Sequence, residues 1–158
     1  MTALYYISFM IFATYITAII LIFGIRKSIS DSSYALKPYK AEVFFTLFCW
    51  GVSVPMLIYW IDFSATDWNF LPFLACGMLG FVGASPMYQN NDLESKVHNV
   101  GSYTCAVGAY LWTFMYGNVP AGLVAISLSI IPLLMRKNKV YWIEMIAFLN
   151  LYIQIFPR

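Results

Sequence analysis

Six apolar runs, separated by connections that are alternately rich in Lys and Arg and free of them, constrain this chain more than any other feature. The runs cover about residues 4–25, 41–61, 70–88, 97–116, 119–135 and 140–156. Each approaches the ~20 residues that a helix needs to cross a ~30 Å hydrocarbon core, the last two being a little short. Arg26, Lys27, Lys37 and Lys40 fall in the first connection, Lys96 in or beside the third, and Arg136, Lys137 and Lys139 in the fifth. The second and fourth carry none, and Arg158 alone stands on the other side. Short connections that retain positive charge stay on the cytoplasmic face. The pattern predicts an all-α polytopic membrane helix bundle: six transmembrane helices, antiparallel through short connections, with both termini on the outer side. In a bacterium the membrane would be the cytoplasmic one.

Composition agrees with that reading. A hydrophobic content of 61% with 10% charged residues is wrong for a soluble globule, which needs a charged surface. At 158 residues the chain is read as one domain, residues 1–158, that the six helices nearly exhaust. The net charge of +2 follows from orientation, and no basic face with reading side chains points to nucleic acid. The expected partners are the lipid bilayer and either a second copy or another membrane protein. The first run lacks a basic leader and is too long for a signal-peptide core, so it is expected to remain as a span. Cys49, Cys76 and Cys105 lie within spans without CxxC spacing and read as small, reduced packing residues.

Local signals place the connections. The first one, RKSISDSSYALKPYK, reads as a solvated loop lying on anionic headgroups. Asp62, Thr66 and Asp67 fill a short outer turn. Gly117 and Asn118 form a two-residue outer hairpin, with Asn118 as N-cap and Pro120 in the first turn. Pro55 and Pro132 lie inside the second and fifth spans and are expected to kink them. Pro86 is expected to end the third helix. Asn91 and Glu94 fit a capping box, so the fourth helix should begin near Asp92.

On that fourth helix Glu94, His98, Gly101, Cys105, Gly108 and Trp112 fall on one line. A matching seam of Phe73, Gly77, Gly80 and Ala84 runs along the third, with Cys76 and Gly83 beside it. Small residues let backbones approach closely in lipid, so these two spans are expected to pack together. The same line aims His98 and Glu94 into the bundle at its inner end, at the depth of Glu42 and Glu144. Four such groups could form an inner vestibule in which a His flanked by carboxylates relays protons or acts as a base, with Ser85 and Asn99 as neighbouring ligand contacts. Ordinary pairing competes with this: Glu42 with Lys40 or Arg26, Glu144 with Lys139 or Arg136, and Glu94 with His98 at i,i+4. That pairing is the favoured reading. A single His without ligand spacing gives no metal site and implies no cofactor.

Residues 80–101 resemble six-span membrane proteins of the Frag1/DRAM type. Val82-Gly83 and Pro86 stand at the end of the third span, and His98 and Gly101 at the start of the fourth. The resemblance implies a membrane-embedded six-span fold and names no reaction. Three classes of function follow from the residues: a non-enzymatic lipid- or small-molecule-binding or transporter-like module, an inner-face enzyme acting on lipid headgroups, and a structural or partner-binding subunit. The first is the expectation, because no catalytic constellation is present.

Overall fold

The computed structural model describes residues 1–158 except Ala65, Thr66, Arg136 and Arg158, and all its regular elements are helical. The expected outer position of Thr66, the inner position of Arg136 and the isolated position of Arg158 therefore lie outside the described residues. The helices are α1 (Thr2–Phe23), α2 (Ser32–Leu36, continued by a 3-10 turn Lys37–Tyr39), α3 (Val43–Ser64), α4 (Phe70–Gly83), α5 (Asp92–Tyr116), α6 (Val119–Leu134) and α7 (Lys139–Gln154). The six long ones match the six apolar runs and alternate in direction. One end of the bundle carries residues 24–42, 84–91, 135 and 137–138, and is called the loop end below. The other carries both termini and the two remaining connections.

Among the described residues, only α1 and α3 form helices both long and apolar enough to cross a membrane. Helices α4, α6 and α7 have 14, 16 and 16 residues. At ~1.5 Å per residue they rise roughly 21–24 Å, short of a ~30 Å core. Helix α4 stops at Gly83, before Pro86, and the chain turns instead of continuing to residue 88. Asn91 caps α5 through its side-chain oxygen, which accepts from Leu93 N at 2.9 Å and Glu94 N at 3.3 Å. The reciprocal arm of the capping box is not made, because Glu94 Oε2 accepts from Met87 N at 3.0 Å. Asn118 caps α6 as expected, accepting from Ala121 N at 3.1 Å. Helices α3 and α6 run on either side of Pro55 and Pro132.

Helices α4 and α5 make the most extensive interhelical contact in the bundle. The α5 side of the seam is as expected. A Cβ on Gly101 would lie 3.0 Å from Met78 O, and one on Gly108 would touch Ala75 Cβ at 3.5 Å. The α4 side is corrected. Gly77 and Gly80 would meet nothing within 4 Å, and Phe73 is exposed. Gly77 and Gly80, with Ala84, look onto an open groove beside Trp50 and Leu57 of α3. What α4 presents to α5 is Leu71, Ala75, Met78 and Val82, while Gly83 lets α3 approach, a Cβ there falling 2.5 Å from Cys49 Cβ.

Apolar side chains fill the core and also cover much of the outside. Large apolar side chains are exposed along α6, among them Leu123, Val124, Ile130, Ile131 and Leu133, and along one side of α1 and α3. Hydroxyls and amides are buried instead. Tyr5 donates to Tyr152 O at 3.0 Å, Ser8 to Val52 O at 2.9 Å, and Tyr59 to Ile155 O at 3.0 Å. Gln154 accepts from Asn118 N at 2.6 Å and donates to Asn118 O at 3.0 Å and to Asn150 Oδ1 at 3.3 Å. These bonds tie α1, α3 and the α5–α6 hairpin to α7 near the terminal end.

Candidate functional site

The first connection is not a solvated loop. Residues Ser28, Ile29, Ser30, Asp31, Ser32 and Ser33 are all buried and plug the loop end of the bundle. Their backbone can enter because its polar groups find partners. The chain leaves α1 through Gly24, whose φ of 73° with ψ of −178° suits glycine alone. Arg26 then pairs with the buried Asp31, 2.9 Å from Nη2 to Oδ2. Ser28 Oγ accepts from Asp31 N at 3.0 Å. Ile29 N donates to Glu144 Oε2 of α7 at 2.6 Å, and Tyr141 N donates to Lys27 O at 3.0 Å. Ser32 shares a 2.6 Å hydrogen bond with Tyr15 of α1. Ser33 Oγ donates to Ser30 O at 2.9 Å and to Pro86 O at 2.7 Å. Tyr34, whose phenol burial pushes above its ordinary value, accepts from Gln89 N at 2.6 Å. The plug thus holds the 84–91 connection on one side and α7 on the other.

Beneath it lies a cavity of about 170 Å³ between α3, α4, α5 and α7. Its wall is almost wholly apolar: Phe45 and Phe48 from α3, Leu79 and Val82 from α4, Ala106 and Ala109 from α5, Ala147 and Phe148 from α7. Ile29 and Ser30 of the plug close its loop end, where Glu144 supplies the only charged side chain in the lining among the described residues. Cys49 and Cys105 also face it as free thiols. Helices α5 and α7 touch only sparsely, and their lining residues Ser102, Ala106, Ile143 and Ala147 are half-buried. The cavity therefore opens sideways through the gap between these two helices.

The four ionisable groups singled out from the sequence have separate partners. His98 is 4% exposed, stacks on Tyr88 with centroids 4.0 Å apart, and places Nδ1 3.3 Å from Ser85 O. A carbonyl can only accept, so Nδ1 carries the proton. The imidazole ties α5 to the neighbouring connection and does not ion-pair with Glu94, which instead holds Met87 N. Ser85 is buried and donates to Phe81 O at 3.2 Å, while Asn99 is exposed with its amide 3.4 Å from Ser95 Oγ. Glu42 keeps a buried Oε2 with no hydrogen bond among the described residues and takes no part in the cavity wall. Glu144 joins neither Lys139 nor any other described cation in an ion pair, and Arg26 belongs to Asp31. Of the four, Glu144 alone reaches the cavity. Sequence reasoning missed Ile29 and Ser30 as its lid, since nothing local in a Ser-rich stretch announces burial.

No family model, curated protein or solved structure matches the chain.

Proposed function

We propose that this chain is a six-span membrane protein, with both termini on the outer side, that binds the apolar part of a lipid-like small molecule between α5 and α7. The observation that carries this reading is the apolar cavity under the plug, bordered by the sparse contact between α5 and α7. A cavity lined by side chains of this kind stays dry and favours an apolar occupant. A lateral opening suits a ligand that arrives through the hydrocarbon. The apolar exterior supports the six crossings, because it suits lipid tails, while Tyr5, Ser8, Tyr59 and Gln154 bond internally as they must where no water competes. Helices α4, α6 and α7 fit a membrane that thins locally around them. All described basic residues lie at the loop end or in its adjoining helix turns, which supports a cytoplasmic position for that end. A non-enzymatic role accords with Glu144 being engaged in holding the plug and His98 in holding the 84–91 connection.

The test is purification in a mild nonionic detergent followed by native mass spectrometry of wild type and Ala147→Phe, which fills the cavity from α7. Wild type should retain a bound small molecule and the variant, still folded, should not. Equal retention by both would remove the cavity as the binding site.

A further inference from the structure

We infer that the molecule held in the α5–α7 cavity carries a positively charged nitrogen, received by Glu144; this rests on the reading of the cavity as a binding site. Among the described residues, Glu144 is the only charged group in a mostly apolar lining, and it stands where the cavity ends against Ile29 and Ser30. Its Oε2 is fixed by Ile29 N at 2.6 Å, so the carboxylate is aimed by the plug rather than free to swing away. Two carboxylate oxygens offer about four acceptor positions, and Ile29 takes one. Oε1 makes no hydrogen bond to a described residue, Glu144 lines the cavity, and no described cation lies within ion-pair distance of the group.

A carboxylate in such surroundings discriminates strongly between headgroups. Low polarity magnifies its attraction for a cation and its repulsion of an anion. A protonated amine brings both opposite charge and several donors, so it satisfies the acceptors that the protein leaves open. A hydroxyl head supplies a single neutral donor, and a carboxylate head would place two like charges in one apolar space. The tail is accommodated by the remaining volume: cavities of about 150 Å³ hold a benzene-sized group, and this one measures about 170 Å³. The rest of a longer chain would leave through the gap between Ala106 of α5 and Ala147 of α7. The ligand class is therefore an amphiphile with one cationic nitrogen and an unbranched or aromatic apolar body.

The experiment measures thermal unfolding of the full chain in a nonionic detergent against decylamine, decanol and decanoate, for wild type, Glu144→Gln and Ala147→Phe. Glutamine keeps a carbonyl oxygen for Ile29 N, and hydrogen exchange over residues 28–33 verifies that the plug stays closed in it. In wild type, decylamine should half-saturate at a concentration about tenfold below decanol, the ratio expected for one charge-assisted contact, and decanoate should be weakest. In Glu144→Gln the three should converge. Stabilisation of wild type by all three probes alike, but not of Ala147→Phe, would overturn the cationic nitrogen while leaving the cavity as a binding site. An amine preference undiminished in Glu144→Gln would overturn it too, as an effect of micelle charge. No stabilisation of wild type by any probe, or equal stabilisation of Ala147→Phe, would overturn the binding cavity itself.

Discussion

Gly101 and Gly80 have the same residue type, similar sequence surroundings and opposite demands. Gly101 faces Met78 O across the α4–α5 contact, so Gly101→Ala must push two helices apart and should destabilise by roughly 1–3 kcal/mol, as overpacking does. Gly80 has open space where its Cβ would be. Gly80→Ala should be neutral or stabilise by up to about 0.5–1 kcal/mol, since alanine loses less entropy in a helix. Thermal unfolding in detergent checks both, and equal losses would contradict the assignment of faces. The periodicity of α5 was enough to identify its contact face. On α4 small residues occur on two sides, and spacing alone does not say which side meets α5 and which borders the groove beside α3. Gln154 is a comparable case at the terminal end. It pairs with both backbone groups of Asn118, so Gln154→Ala should cost about 1–3 kcal/mol by leaving them unmatched. Such a long-range amide clamp has no signature in local sequence.

The connection between α1 and α3 is where composition misleads. Helix bounds were legible because apolar length, Pro86, and the caps Asn91 and Asn118 act locally, each within a few residues of the boundary it sets. Burial of residues 28–33 depends on partners far away in the chain, Glu144 and Pro86 above all. Serine-rich sequence normally stays in water, and here it enters the bundle because its hydroxyls and amides are matched there. Amide hydrogen exchange should therefore show strong protection at Ile29, Asp31, Ser32 and Ser33, and rapid exchange at exposed Lys27, whose N–H bonds to no described residue. Ser33→Ala, which removes the donor to Pro86 O, should lower protection across this stretch and destabilise by roughly 1–3 kcal/mol. Uniformly fast exchange from Arg26 to Lys40 would mean that the segment is a solvated loop after all.

At the scale of the whole molecule, orientation and ligand position are the two open quantities. Ser32 is 1% exposed and would be a poor reporter of sidedness, because burial would block labelling from either side. Lys37 and Asp67 are exposed, so Lys37→Cys and Asp67→Cys report orientation cleanly. In sealed cells Asp67→Cys should react with an impermeant maleimide and Lys37→Cys should react only after permeabilisation; the reverse pattern would invert the topology. The cavity between α5 and α7 is tested most directly by photolabelling the purified chain with a decylamine bearing a diazirine on its tail, followed by peptide mass spectrometry. The expected result is labelling of residues 102–110 and 143–151 that excess decylamine suppresses, with labelling of the exposed α6 residues Leu123–Leu134 left unsuppressed. Labelling of α5 and α7 that resists competition as fully as labelling of α6 would contradict a binding site between those helices.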